Sequence, residues 1–265
     1  MKKSYIKYIL FLVILYTVLF SWKNNFLGRY FSSRVTGRVM DISENSPIEM
    51  VSVGSGENST FTNYGGEFVM SIDTRATPRL KISTPRSYEQ GSDNLKCQNV
   101  RNSFLDRTFF CETSLYPQSF EIATRILNDE KAGEFQNSKE RADHKKKLWD
   151  RSSKLSKDAF GTEGDFIFLF SKKEEIEIKK KVQLINFDIS EKSTIINKYL
   201  DPITGKSISE VAEVQVVRYF ADGSKSETPA HFVREEGIWR YLFPFTYKSI
   251  YDFVVNNEWI LKVKK

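Results

Sequence analysis

Two adjacent glycines, Gly65 and Gly66, separate a polar run from an alternating apolar run in the stretch TFTNYGGEFVMSI. A phosphate-binding loop needs widely spaced glycines followed by Lys and Ser or Thr, between a strand and a helix. A calcium loop needs several acidic residues at alternate positions. Here a strand-like run without lysine follows the glycines, and Glu67 is nearly the only acid nearby. The pattern therefore predicts a turn between two strands rather than a ligand-binding loop.

The sequence around this turn alternates in the manner of short β-strands. Apolar residues recur at every second position between Val35 and Asp41, and the stretch SENSP that follows supplies a turn. Further short strands are predicted at 48–53, 61–64, 67–72 and 80–83, with GSGENS as a loop. Short strands with turn residues at regular intervals are typical of an all-β sandwich.

Three spaced blocks in this segment carry a family resemblance. They read V-x-G-x-V-x-D, P-I-x-x-V-x-V and T-N-x-x-G-x-F, and their residues are Val35, Gly37, Val39, Asp41, Pro47, Ile48, Val51, Val53, Thr62, Asn63, Gly66 and Phe68. In these blocks the segment resembles the carboxypeptidase regulatory-like, transthyretin-related β-sandwich, although Asn63 stands where Asp is commoner. The resemblance implies a sandwich over residues 34–115 that serves folding and attachment and is not itself catalytic.

The composition changes beyond residue 118 from β-rich to charged and helical. Ser119 is predicted to cap a first helix and Asp143 a second one, and the stretch 162–165 resembles a capping box. The apolar run Phe166–Phe170 fits either a helix or a strand.

Strands are predicted from Ile176 onward. Asp222-Gly223 and Glu236-Gly237 are hairpin signals between alternating runs. Helices followed by an antiparallel meander predict an α+β layer with the helices packed on one face of the sheet.

Two longer stretches of this second segment also match a known pattern. They are FVREEGIWRYLF near the end and LWDRSSKLSKDAF in the second predicted helix. In these stretches the segment is similar to the nuclear transport factor 2-like (NTF2-like) cone fold, which we expect over residues 118–247. Members of that family include enzymes, secretion-system scaffolds and ligand-binding modules that share a concave pocket, so the resemblance does not select a function. The family's isomerases and dehydratases use Asp, His or Tyr inside the cone.

His231 is the candidate general base for such chemistry, with Asp188, Asp201 and Tyr219 as candidate partners. The alternative is an ordinary surface or hydrogen-bonded histidine, which the absence of a neighbouring motif favours. The run Lys145–Lys147 is likewise interpreted as a solvated helix face rather than a phosphate or lipid site, because acids flank it on both sides.

The charge distribution argues against a nucleic-acid partner. The formal net charge is +6, and residues 1–34 contain six Lys or Arg side chains and no acid, so the rest of the chain is neutral. Without a net basic domain, the electrostatic attraction for the phosphate groups of a nucleic acid is weak.

The apolar run from Ile9 to Trp22, preceded by three lysines, predicts a membrane helix within an anchor region at residues 1–30. A cleaved signal peptide has the same layout, but the small residues of a cleavage site are missing near the end of the run. A buried helix is the third alternative. With an uncleaved anchor, we expect a single-pass membrane protein whose bulk is extracytoplasmic, in the periplasm or at the cell surface.

Cys97 and Cys111 are the only cysteines. In an oxidising compartment they would form a disulfide, and the alternative is two unpaired, half-buried thiols. A metal site is not expected, because His144 and His231 do not stand at ligand spacing from a cysteine. No cofactor is expected either.

The sequence thus predicts a membrane-anchored extracytoplasmic binding or scaffold protein without catalytic activity, whose NTF2-like module binds a protein or a small ligand. The alternatives are an enzyme with isomerase- or hydrolase-like chemistry in the pocket, and a subunit of an envelope secretion assembly. The C-terminal tail, 248–265, is predicted to add an edge strand or a partner contact.

Overall fold

The computed structural model of the chain describes residues 10–18, 32–72, 77–90, 95–102, 107–131 and 138–262. The chain divides into two compact units, Met1–Tyr116 and Pro117–Lys265. The content is mixed α and β, with several sheets. The finer domain limits, 34–115 and 118–247, stay predictions.

The N-terminal membrane helix was a wrong prediction, and the predicted fold class is corrected accordingly. Residues 10–18 are helical, whereas the remainder of the predicted anchor, 1–9 and 19–30, lies outside the described residues. A spanning helix needs about 20 apolar residues. Within the part of the chain that the structure describes, no helix is both long and apolar enough to cross a membrane.

Apart from the helical residues 10–18, the described part of the first unit forms nine short strands in two sheets. They are β1 (Ser33–Asp41), β2 (Ser46–Pro47), β3 (Ser52–Ser55), β4 (Asn58–Phe61), β5 (Glu67–Ile72), β6 (Lys81–Ser83), β7 (Tyr88–Gln90), β8 (Lys96–Asn102) and β9 (Arg107–Pro117). The larger sheet has the order β2-β1-β9-β7, with β5 beside β1 and β8 beside β9, and the smaller one has the order β4-β3-β6. The predicted loop GSGENS is in fact the tight β3–β4 hairpin, with Gly56 at φ +62°.

The core of the first unit follows from the alternation along β1, β5 and β9. Buried and exposed side chains alternate along β5, and the apolar ones pack with those of the smaller sheet into one cluster. Strand β1 runs parallel to β9, so that Gly37 lies opposite Cys111. A Cβ atom on Gly37 would come within 2.1 Å of the Cys111 carbonyl oxygen, which explains why glycine occupies that position.

The glycine pair forms the turn before β5. Gly66 has φ +68°, a left-handed conformation that favours glycine. The side-chain oxygen of Asn63 accepts hydrogen bonds from the backbone N–H of Gly65 and of Glu67, each at 2.9 Å. Val39 N–H donates to the Gly66 carbonyl at 2.9 Å, which ties the turn to β1. These residues therefore shape the backbone of the first unit.

The second unit begins with helices, continues with an antiparallel sheet and closes with a further helix. The elements are α1 (Ser119–Glu130), α2 (Ser138–Arg151), α3 (Lys154–Phe160), α4 (Glu163–Lys180), β10 (Leu184–Leu200), β11 (Ser207–Phe220), β12 (Lys225–Glu227), β13 (Ala230–Glu235), β14 (Ile238–Leu242) and α5 (Tyr247–Lys262). The sheet has the order β10-β11-β13-β14, with β12 beside β11. Aromatic side chains of α3 and α4 and the apolar face of β11 and β13 fill one core.

Several predicted boundaries in this unit differ from the observed ones. Asp143 lies inside α2 and does not cap it. The run Phe166–Phe170 is helical, and α4 continues to Lys180 through residues predicted as strand. The C-terminal tail is the helix α5 and not an edge strand. In the last two cases, packing of an apolar helix face outweighs a local pattern that fits either a helix or a strand.

Candidate functional site

A pocket of about 270 Å³ opens inside the second unit, between α1, α2, α4 and the strands β10 and β11. Its apolar wall consists of Phe170, Leu184, Phe220 and Phe245, and its charged residues are Glu130, Lys145, Lys173, Glu174, Glu177 and Arg218. The charges balance, with three cations and three carboxylates. A largely apolar wall with a few convergent polar groups is the usual composition of a small-molecule site.

A buried ion pair forms the polar end of this pocket. The Lys145 Nζ atom lies 2.6 Å from Oε2 of Glu174, and the two side chains are only 5% and 4% exposed. Arg141 approaches the other oxygen, with its Nε 3.5 Å from Glu174 Oε1. Neither Glu174 oxygen has a hydrogen bond of good geometry to any described residue. The pair is therefore held by charge, and hydrogen-bonding capacity remains on the carboxylate.

Lys145 also retains hydrogen-bonding capacity. An ammonium carries three donors, and Glu174 is its one ion-pair partner in the described part of the chain. The other two basic residues of the pocket already donate hydrogen bonds to side-chain partners. Lys173 pairs with Glu177 at 2.6 Å, and Arg218 donates to the Thr228 hydroxyl at 2.7 Å. Lys145 is therefore the basic residue of the pocket with the most donor capacity left, and the Glu174 carboxylate beside it keeps unused acceptor capacity.

Helical periodicity explains why these two charged residues are buried. Lys145 precedes Leu148 and Trp149 by three and four positions, so all three lie on the core-facing side of α2. Glu174 stands four positions after Phe170 on the same face of α4. Lys146 has a side chain that is 51% exposed and pairs with Glu163, as expected of a solvated face. The interpretation of the lysine run was therefore wrong for Lys145, and the position of that residue relative to Leu148 was the available signal.

A second ion cluster ties α1 to α2. The Asp129 carboxylate contacts Nδ1 of His144 at 2.8 Å and also binds the Arg151 guanidinium. Burial of the His144 ring, together with Lys147 and Lys145 nearby, lowers the pKa of this histidine below its ordinary value. The neutral ring can donate its Nδ1–H to Asp129. These residues do not line the pocket and hold the helices together.

His231 lies on the sheet face opposite to the core. Its neighbour Phe232 is fully buried in the core, whereas His231 is half-buried and contacts Glu213 across the strands at 3.2 Å. Its ring also lies against Tyr199, with 4.7 Å between ring centroids. Burial, with Asp201 and Glu213 nearby, raises the pKa of Tyr199. A histidine oriented by a carboxylate is chemically able to transfer a proton.

The structure does not bring the three predicted partners of His231 together around it. The Tyr219 hydroxyl donates to Asp188 at 2.7 Å, as a separate pair across β10 and β11. Asp201 accepts from the backbone N–H of Thr204 at 3.0 Å and shapes the turn before β11. The partners observed, Glu213 and Tyr199, were not anticipated, because the register of β10, β11 and β13 had to be known first.

Cys97 and Cys111 lie directly opposite each other on β8 and β9 and are joined by a disulfide. Cys111 is fully buried in the core of the first unit. In the described residues, His, Cys, Asp and Glu side chains form no group of three or more that could hold a metal ion.

A groove of about 300 Å³ also occurs in the first unit, mainly along one side of β8 and β9. It is lined by Ile42, Lys96, Gln98, Phe110, Glu112, Thr113, Ser114 and Tyr116. Its charged residues, Lys96 and Glu112, are both exposed. Exposed charges are already hydrated, so a ligand would gain little free energy by replacing their water contacts. This groove is therefore a weaker candidate for a binding site than the pocket with the buried pair.

No family model, no curated protein and no solved structure matches this chain. The resemblances to the carboxypeptidase regulatory-like and NTF2-like families therefore remain predictions that rest on the sequence motifs alone.

Proposed function

We propose that the second unit is a binding module without catalytic activity and that its pocket holds a small ligand. The observation that carries this proposal is the buried Lys145–Glu174 pair at the polar end of a pocket with an aromatic wall. A buried charged group with unused hydrogen-bonding capacity is costly unless a partner satisfies it. A bound ligand supplies that partner.

The ligand class follows from the balance of charges. The pocket already contains equal numbers of cations and carboxylates, so a charged head group would be repelled by one partner while it bound the other. An uncharged head that both donates and accepts, such as a primary amide or a hydroxyl, bonds to Lys145 and Glu174 together. The apolar wall selects an aromatic or aliphatic body.

Binding is tested with three probes that share a phenyl ring and differ in the head group. These are phenylacetamide, phenylacetate and phenethylamine, titrated into the full chain by ligand-observed NMR. We expect phenylacetamide to bind most tightly of the three. Equal affinity of all three, or no binding of any of them, would contradict the proposal.

Two variants connect the binding to the pocket. Lys145→Met removes the donors and should weaken phenylacetamide binding roughly tenfold or more. Lys146→Met is the matched control, because that lysine is exposed and lies outside the pocket. Phe245→Trp adds bulk to the pocket wall without touching the ion pair, and it should also reduce binding. Retention of binding in both pocket variants would exclude this site.

The chemistry at His231 supports the enzyme alternative less well. His231 and its partners Glu213 and Tyr199 do not line the pocket of the second unit. A general base must reach the proton that it abstracts from a bound substrate. The pocket therefore supports a binding function better than it supports catalysis by His231.

We also propose that the chain works in an oxidising, extracytoplasmic compartment. The disulfide between Cys97 and Cys111 supports this location, since such bonds persist mainly outside the reducing cytosol. Alkylation of free thiols in the chain as isolated from cells should leave both cysteines unmodified. Recovery of doubly alkylated chain would contradict the location.

A further inference from the structure

Lys145 carries a primary amine that is buried at the wall of the pocket in the second unit. The side chain lines this pocket together with the rings of Phe170, Phe220 and Phe245. A lysine that is shielded from water beside apolar groups is the kind of amine with which proteins form an imine to a carbonyl compound. The position of Lys145 therefore offers covalent chemistry in addition to hydrogen bonding.

The Glu174 carboxylate lies where imine formation needs a proton acceptor. An ammonium group has no free electron pair, so it must lose a proton before the nitrogen can attack a carbonyl carbon. Glu174 Oε2 lies 2.6 Å from the Lys145 Nζ atom, which is close enough for direct proton transfer. The transfer leaves both groups uncharged, and this removes the desolvation cost of two buried charges. The pair can therefore release the free amine inside the pocket.

We propose that Lys145 captures an aldehyde with an aromatic body as a reversible imine. This inference rests on the proposed binding function of the pocket and names a chemical class for its ligand. An aldehyde carbonyl is uncharged, as the balanced charges of the pocket require. The pocket volume of about 270 Å³ lies at the small end of ligand sites, so one ring with a short side chain suits it.

The reaction balances with the groups that are present. Glu174 takes one proton from the Lys145 ammonium, and the freed electron pair of Nζ forms a bond to the aldehyde carbon. Through the same carboxyl group, one proton then moves from the nitrogen to the former carbonyl oxygen, which gives a carbinolamine. Glu174 gives its remaining proton to the hydroxyl group, the C–O bond breaks, and water leaves as the nitrogen electron pair forms the C=N bond. The product is a protonated imine beside an ionised Glu174, and no oxidant or reductant is needed.

Solvent exposure alone predicts the opposite order of reactivity among the lysines. The Lys145 side chain is 5% exposed, whereas the side chain of Lys146 is 51% exposed. If aldehydes react with this chain according to exposure, Lys146 is modified well before Lys145. If the pocket captures the aldehyde, Lys145 is modified first. The order of modification therefore separates capture in the pocket from random labelling.

The experiment treats the full chain with phenylacetaldehyde and sodium cyanoborohydride, which reduces an imine to a stable secondary amine. Peptide mass spectrometry should identify Lys145 as the first site, with a mass gain equal to the aldehyde less its oxygen atom. Phenylacetamide, which has the same ring but forms no imine, should protect Lys145 and leave the labelling of Lys146 unchanged. Propanal, which lacks the ring, should show no preference for Lys145. Labelling of exposed lysines before Lys145, or labelling of Lys145 that phenylacetamide does not reduce, would overturn the inference.

Two variants test the role of the pocket and of the carboxylate. Glu174→Gln keeps the shape of the side chain but removes the proton acceptor, so trapping at Lys145 should slow about tenfold or more. Phe245→Trp narrows the pocket, leaves the ion pair intact and should also slow trapping. Lys146→Met is the matched control and should trap the aldehyde at the wild-type rate, since Lys146 lies outside the pocket. Unchanged trapping in both pocket variants would contradict the inference.

Failure of this inference can be distinguished from failure of the proposed function. If phenylacetamide binds to the wild-type chain but Lys145 is not trapped preferentially, the covalent step alone is wrong. If phenylacetamide does not bind and Lys145 is not trapped, the proposed binding function is wrong as well.

Discussion

The Nζ atom of Lys145 lies 2.6 Å from Oε2 of Glu174, in a pair whose side chains are almost fully shielded from solvent. Removal of one member leaves a buried charge without its counterpart, whereas replacement of both by apolar residues removes the desolvation cost as well. The presence of the pair therefore does not show that it stabilises the fold. A role in ligand binding would explain why it lies at a pocket. Its energetics can be measured without knowledge of the ligand.

The substitution Glu174→Leu should lower the free energy of unfolding by about 3 kcal/mol or more, because it leaves Lys145 buried and unpaired. The double variant Lys145→Met/Glu174→Leu should recover most of this loss. Urea denaturation of the full chain, followed by circular dichroism, measures both. Lys225→Ala is the control, since Lys225 and its partner Glu227 are largely exposed. A double variant no more stable than Glu174→Leu would contradict this account of the pair.

The two glycines of the turn should differ sharply in their tolerance of alanine. Gly66→Ala should cost about 1–2 kcal/mol from its left-handed backbone conformation alone, and its Cβ would also meet the Val39 carbonyl oxygen at 2.5 Å. Gly65→Ala meets only side-chain atoms, the nearest at 3.3 Å, and should change stability little. Thermal unfolding of the two variants tests this contrast. Equal melting temperatures would show that the turn is not constrained as described.

The disulfide should stabilise the first unit. In the chain-entropy model, a closed loop of about this length contributes about 3 kcal/mol. The double variant Cys97→Ala/Cys111→Ala should lose that amount and, because Cys111 is fully buried, a further amount for the space left in the core. Reduction of the native chain isolates the first contribution. If reduction left the unfolding midpoint unchanged, the bridge would have no stabilising role.

The pKa of His144 should lie below its ordinary value, because burial and two neighbouring lysines disfavour the charged ring. As the pH is lowered, the His144 ring therefore binds its second proton near pH 6.5 in the unfolded chain, and only at a lower pH in the folded chain. Stability should therefore fall as the pH drops below about 6.5 towards the lower pKa of the folded state. The chain has only two histidines, so NMR titration of their ring protons can assign the value, with His144→Gln as the control. A midpoint at or above 6.5 would contradict this prediction.

Features that depend on neighbouring residues could be predicted from the sequence. The Thr162 hydroxyl accepts a hydrogen bond from the backbone N–H of Asp165 at 3.1 Å, as the capping signal indicates. Glu236 and Gly237 have φ values of 52° and 82°, as the hairpin signal requires. Such signals act within one turn of chain, so no tertiary information is needed to read them.

Features that depend on distant residues could not be predicted in the same way. The spacing of Lys145 from Leu148 indicates a core-facing position, but no local pattern reveals its pairing with Glu174 from another helix. The contact between His231 and Glu213 depends on the register of two long strands. The helix α5 was not predicted, because the pattern of the C-terminal tail fits either a strand or a helix. The prediction of a membrane helix failed because it rested on local composition alone. The apolar N-terminal run suggested a longer helix than the described residues contain.

The most direct test of the proposed binding site is a map of backbone and side-chain NMR shifts on addition of phenylacetamide to the full chain. The account predicts shifts concentrated at the pocket of the second unit, at Lys145, Glu174, Phe170, Phe220 and Phe245. The Lys145→Met variant should lose these shifts, and Lys146→Met should retain them. Shifts confined to the groove around Phe110 in the first unit, or no saturable shifts at the pocket, would contradict the proposal.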